Sequence, residues 1–162
     1  MHLTALLQMM VLLTLANGAP VVAKRICGDR FNAALDGGVA FPDGRPLFGP
    51  SKTICGIILS IVATSAGAPL LGLSPATGAI AAAAAMAGDL ASSFIKRRLG
   101  LKPSSQALGL DQIPESLLPM LMLRDTLSLG ALDLLLGVAV FFAGELVASR
   151  LLYEVRLRDE PY

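Results

Sequence analysis

Gly78-Ala79-Ile80-Ala81-Ala82-Ala83-Ala84-Ala85-Met86-Ala87-Gly88-Asp89-Leu90-Ala91-Ser92-Ser93-Phe94-Ile95-Lys96-Arg97-Arg98 passes from small apolar residues to charged ones without a proline between them. On a helix, Ser93, Lys96 and Arg97 follow Asp89 by four, seven and eight positions. At 3.6 residues per turn the four side chains share one face. A carboxylate, a hydroxyl and two cations therefore line up where an apolar segment meets water. An ionisable residue inside such a segment is a functional hypothesis by default. The small residues before it allow close helix packing in lipid, which predicts a helix at the centre of a bundle. Gly56, Gly67, Ala68 and Gly72 of the preceding segment suit the same contact.

Working outward, apolar segments recur along the whole chain, at about 3–23, 54–74, 76–95, 113–129 and 131–153. Each is near the roughly 20 residues that cross the hydrocarbon core, the fourth being the shortest. Of 162 residues 54% are hydrophobic and 15% charged, and mean hydropathy is +0.69. Soluble domains carry about 25% charged residues. The expected fold is all-α: one polytopic integral membrane domain over 1–162, with about five transmembrane helices. The first segment lacks a basic start and a good cleavage context, since Pro20 follows the Ala16–Ala19 region, so a retained helix is expected rather than a signal peptide.

Charge distribution orients the bundle. Lys24, Arg25, Arg30, Arg45 and Lys52 lie in loop 24–53, and Lys96, Arg97, Arg98 and Lys102 in loop 96–112. Arg150, Arg156 and Arg158 lie around the tail, so only Arg124 of the thirteen cations falls elsewhere. With five crossings all three clusters share one side, which the positive-inside rule makes the cytoplasm of a cell membrane, with the N-terminus outside. A net charge of +1 leaves no electrostatic footprint for nucleic acid, which is not an expected partner. Oligomeric state is not readable. Cys27 and Cys55 have no CxxC or Cys/His spacing, the only histidine is His2, and two reduced thiols are expected in that compartment.

Loop 24–53 is dense in turn formers, including Asp36-Gly37-Gly38 and Pro42-Asp43-Gly44-Arg45-Pro46. Gly44–Thr53 looks like a phosphate-binding P-loop, but its lysine stands three residues beyond the second glycine and no strand precedes it. Carboxylates at Asp36, Asp43, Asp89 and Asp111 face cations at Arg45, Lys52, Lys96, Arg97 and Arg98 across the two loops. Oxygen donors suit Mg²⁺, which takes one or two carboxylates plus substrate phosphates. Lys and Arg suit polyphosphate oxygens. The residues alone point to a metal-dependent reaction between a soluble nucleotide and a lipid phosphate.

The order of these residues resembles a known family. Gly88-Asp89-Leu90, Ser93 and Lys96-Arg97 resemble the signature of CDP-diglyceride synthases (phosphatidate cytidylyltransferases), and more closely that of CDP-archaeol synthases. Asn17 and Pro20, Asp43-Gly44-Arg45-Pro46-Leu47-Phe48-Gly49 with Lys52-Thr53, and Leu110-Asp111-Gln112 follow the latter family's order. The resemblance implies transfer of CMP from CTP to a lipid phosphate, either an archaeal-type ether-lipid phosphate or phosphatidic acid, with Mg²⁺ as cofactor. It implies Asp89 and Asp111 as metal ligands and Asp89, Lys96, Arg97 and Asp111 as the catalytic set. Arg45, Lys52, Ser93, Arg98, Asp43 and Asn17 would bind CTP or the lipid phosphate. Pro114 stands where relatives place a second acid, with Glu115 beside it, and Cys55 where an arginine is usual. A small transporter using Asp89, Asp133 and Glu145 as pathway acids is the rival reading, and a catalytically inactive relative a third.

Overall fold

The computed structural model describes residues 2–26, 33–103 and 105–154, without the side chains of 23–26 and 152. Cys27, Arg30, Arg156 and Arg158 thus lie outside the described residues, as do the side chains of Lys24 and Arg25. Five α-helices follow one another: α1 (Leu3–Ile26), α2 (Ile54–Gly67), α3 (Pro75–Arg98), α4 (Gln112–Met122) and α5 (Ala131–Glu154). A 3₁₀ turn, Ala68–Leu71, extends α2 and closes on Gly72 at φ 73°. Among the described residues β structure is limited to two isolated antiparallel bridges, Ala34 with Thr53 and Ala40 with Pro46.

Local signals set the helix starts. Thr53 Oγ1 accepts from the Gly56 amide at α2, and Ser74 Oγ from the Thr77 amide at α3, where Pro75 takes the first helical position. Four helices are long and apolar enough to span a bilayer: Leu3–Val22, Ile54–Leu71, Pro75–Arg98 and Ala131–Leu151. Their outer faces carry exposed Leu7, Val11, Ile58, Val62, Leu135 and Val140, as lipid-facing surfaces do. This is a multi-pass membrane fold.

The fourth apolar segment departs from expectation. It forms an 11-residue helix, then turns over Leu123–Ser128. At 1.5 Å per residue that helix covers about 16 Å, half the hydrocarbon thickness.

The centre of the bundle is α3, packed against α1, α2 and α4, while α5 leans on α4 and α1. A Cβ added at Gly78 would lie 2.4 Å from the Thr64 carbonyl oxygen, and one at Gly88 2.3 Å from that of Pro114. Ala68 joins the α2–α3 contact as expected, but Gly56 and Gly67 instead face Pro20 and Leu15 of α1. Two polar side chains bridge elements of the bundle: Ser60 Oγ donates to the Ala16 carbonyl at 2.7 Å and Gln8 Nε2 to that of Leu71 at 2.8 Å.

Candidate active site

The end of α3 is finished by a glycine cap. Gly100, at φ 75°, donates to the Arg97 carbonyl, and the Leu101 amide returns to that of Lys96. The chain then runs back alongside α3 rather than away from it. Arg97 Nη2 donates to the Lys102 carbonyl at 2.8 Å, and Lys96 Nζ to that of Ser105 at 3.0 Å. Lys96 also pairs with Asp111 Oδ1 at 2.6 Å, while Asp111 Oδ2 accepts the Ala107 amide. By Pro114 the backbone has reached Gly88, ten residues back from Arg98, or about 15 Å along the helix axis. Irregular backbone at such depth is tolerated where it lines a polar cavity or is buried in protein.

Residues 33–54 form a folded hairpin rather than a loose loop. The Leu35 and Ile54 amides pair with the Lys52 and Ala33 carbonyls, and nearer the tip those of Phe41 and Leu47 pair with the Arg45 and Val39 carbonyls. Asp36 staples the hairpin: its carboxylate accepts amides from Gly38, Phe48 and Gly49 at 2.9–3.0 Å. Desolvation pushes the Asp36 carboxyl up, but these three amides together hold it below the usual carboxylate range.

The hairpin's last residues deliver Lys52 onto α3. Its Nζ lies 2.6 and 2.5 Å from the two carboxylate oxygens of Asp89. Burial works to push the Lys52 ammonium down, yet Asp89, with help from Glu115 and Asp111, holds it above its ordinary value. Ser93, Lys96 and Arg97 are each less than a tenth exposed on the same buried face, as the spacing predicted. Arg97 keeps Nε and Nη1 without a hydrogen-bond partner, beside Gly49 at φ 94°. A buried guanidinium with idle donors is a seat for an anion. Asn17 Nδ2 of α1 is likewise shielded and without a partner.

Glu115 is the residue the sequence did not assign. Its carboxyl hydrogen-bonds that of Asp89, and it is 6% exposed. Two carboxyls in such contact hold a proton or a cation between them. A hard divalent ion here could rest only on the Asp89–Glu115 carboxyl pair, completed by water and substrate oxygens. Among the described residues no group of three His, Cys, Asp or Glu is arranged to hold a metal. The structure brings together Lys52, Asp89, Ser93, Lys96, Arg97, Asp111 and Glu115.

It sets Arg45, Arg98 and Asp43 apart from them. Arg45 Nη1 donates to the Arg97 and Arg98 carbonyls. Arg98 Nη2 donates back to the Pro46 carbonyl at 2.5 Å, and its Nη1 lies 3.3 Å from Asp43. Asp133 is also remote, accepting the His2 and Gly130 amides where α5 starts beside the start of α1. Cys55 is disulfide-bonded, which corrects the expected free thiol there.

A family profile described as CarS-like CDP-archaeol synthase matches residues 74–162, more than half of the chain and all of α3 to α5. The chain belongs to the CDP-archaeol synthase family. A CDP-archaeol synthase of Pyrobaculum calidifontis is 35% identical over 91% of this chain and 90% of its own length. Those of Hyperthermus butylicus and Aeropyrum pernix are 41% and 42% identical over 60% and 61% of the chain. The chain spans only 59% and 57% of the length of these two. A solved structure of an intramembrane enzyme for archaeal membrane lipid biosynthesis superposes with a TM-score of 0.70 at 30% identity. The superposition covers 85% of this chain and 90% of that one.

Proposed function

We propose that this protein transfers CMP from CTP to a lipid phosphate, giving a CDP-lipid and pyrophosphate in phospholipid biosynthesis. The observation that carries the reading is the buried cluster where Lys52, Lys96 and Arg97 meet Asp89, Asp111 and Glu115. Family membership supports an archaeal-type ether-lipid phosphate as the acceptor proposed, with phosphatidic acid the competitor. In the transfer, an acceptor phosphate oxygen bonds to the α-phosphorus of CTP. The bond from that phosphorus to the bridging oxygen breaks, and pyrophosphate leaves with the electron pair.

Each residue has a part in that reaction. Arg97 Nε and Nη1 bind phosphate oxygens, and Lys52 and Lys96 turn from their carboxylates toward the triphosphate and its developing charge. Ser93 adds a hydroxyl on the same face, and Asn17 Nδ2 offers a donor to the acceptor's oxygens. Mg²⁺ would be held by Asp89 and Asp111, with Glu115 alongside, and would supply charge neutralisation. The active site faces the cytoplasm and the N-terminus lies outside, because the cations of the hairpin and of the α3 end lie together.

The transporter reading is disfavoured by Asp133, which is capped by backbone amides where α5 begins, at the end of the bundle away from Asp89. The test supplies purified protein with labelled CTP, Mg²⁺ and either acceptor lipid. A labelled CDP-lipid from the ether-lipid phosphate is expected. Labelling of phosphatidic acid alone would overturn the acceptor assignment, and labelling of neither would overturn the reaction.

A further inference from the structure

Arginines near a phosphate site are read first as phosphate ligands, yet two of them here turn donors to backbone carbonyls, Arg98 through Nη2 while its Nε and Nη1 make no hydrogen bond. The hairpin tip lies against the end of α3, where the last carbonyls lack helical partners. Arg45 Nη1 caps those of Arg97 and Arg98, and Gly100 leaves room for it: a Cβ there would sit 3.4 Å from the same nitrogen. Arg98 reciprocates, with Nη2 on the Pro46 and Arg45 carbonyls. Its guanidinium lies 4.6 Å from the Phe41 ring centre and 4.9 Å from that of Phe94, the two rings meeting edge to face at 5.4 Å. Asp43 closes the arrangement at 3.3 Å from Arg98 Nη1 and also accepts the Arg45 amide.

We propose that Arg98, Arg45 and Phe41 are positioning residues that latch the hairpin onto α3 and so hold Lys52 and Gly49 over the site, without touching the nucleotide. Phe41 gives the inference its edge, because an aromatic ring held by a guanidinium and a second ring has no donor for a phosphate. The chain from latch to site is short: Phe41 and Arg45 bracket the tip, Asp36 fixes the Phe48 and Gly49 amides, and Lys52 follows. The inference rests on the proposed reaction for its kinetic arm only.

The test uses the full chain in lipid nanodiscs, comparing wild type with Phe41→Ala, Phe41→Leu, Arg98→Gln and Arg98→Lys. Hydrogen exchange at the Phe48 and Gly49 amides and the KM for CTP are measured together. Phe41→Ala and Arg98→Gln should each speed that exchange and raise KM by about tenfold, with a smaller change in kcat. Arg98→Lys should resemble Arg98→Gln, since an ammonium cannot reproduce the forked contacts to carbonyls. Phe41→Leu, the milder change, should fall between wild type and Phe41→Ala. In a Lys52→Ala background, Phe41→Ala should raise KM less than it does in wild type, because part of the latch acts through Lys52. Unchanged exchange and KM in both Phe41 variants, beside a raised KM in Arg98→Gln, would overturn the latch and make Arg98 a ligand. Additive effects in the Lys52→Ala background would also overturn it. A wild type without CTP turnover would defeat the proposed reaction, leaving the exchange arm to decide the latch.

Discussion

Four residues of α3 could be placed on one face from spacing alone, because helical period depends on nothing outside the helix. Ser93, Lys96 and Arg97 are buried on that face with Asp89 half-buried beside them, and the partner of each charged member comes from elsewhere in the chain. Glu115 could not be read so. One residue past Pro114, it looks like a lost acid, and only the contact of the Pro114 backbone with Gly88 brings it to Asp89. That contact is testable. Gly88→Ala puts a Cβ 2.3 Å from the Pro114 oxygen and 2.7 Å from the Glu115 nitrogen, both backbone atoms. It should destabilise the protein by about 1–3 kcal/mol in thermal melts. Gly144→Ala meets nothing within 4 Å and should leave the melting temperature unchanged or slightly raised. At the neighbouring cation, Arg97→Lys keeps the charge but removes the idle Nε and Nη1 donors, so the KM for CTP should rise about tenfold. An unchanged KM would take Arg97 out of the phosphate site.

The hairpin was visible in the sequence as a cluster of turn formers, but its fold was not, because a turn signal does not say which carbonyls a distant arginine will cap. Its integrity should depend on pH through Asp36. The carboxyl is held below its usual range in the folded hairpin, so its ionised form contributes stability above the unfolded value, near pH 4, and that contribution disappears as pH falls through the folded value. The protection factor of the Gly49 amide should therefore fall in acid in wild type and be low already at neutral pH in Asp36→Asn. Equal protection in the two proteins would remove the staple. The fourth apolar segment carried the opposite error. Its composition promised a span, whereas α4 begins only at Gln112 and gives way to turns after Met122, at 11 residues. Apolar composition measures burial, and this segment is buried against α3 and α5 without having to cross as a helix.

At the scale of the whole molecule, the descent of residues 99–111 alongside α3 puts the charged cluster below the level of the α3 end, at the depth of Gly88 and Asp89. The membrane class was legible throughout, because a surplus of apolar residues needs no partner to be recognised, whereas the site needed the chain to double back. The proposed orientation is testable: a reporter inserted at Asp43–Gly44 should be reached only from the cytoplasmic side, and labelling from outside would invert the assignment. The most direct test of the central claim is CDP-lipid formation from labelled CTP by wild type and by Asp89→Asn, both confirmed folded. The account predicts a product from wild type and a rate lower by about 10²–10³-fold in the variant, the loss typical when a group stabilising transferred charge is removed. Equal rates in the two proteins would contradict it.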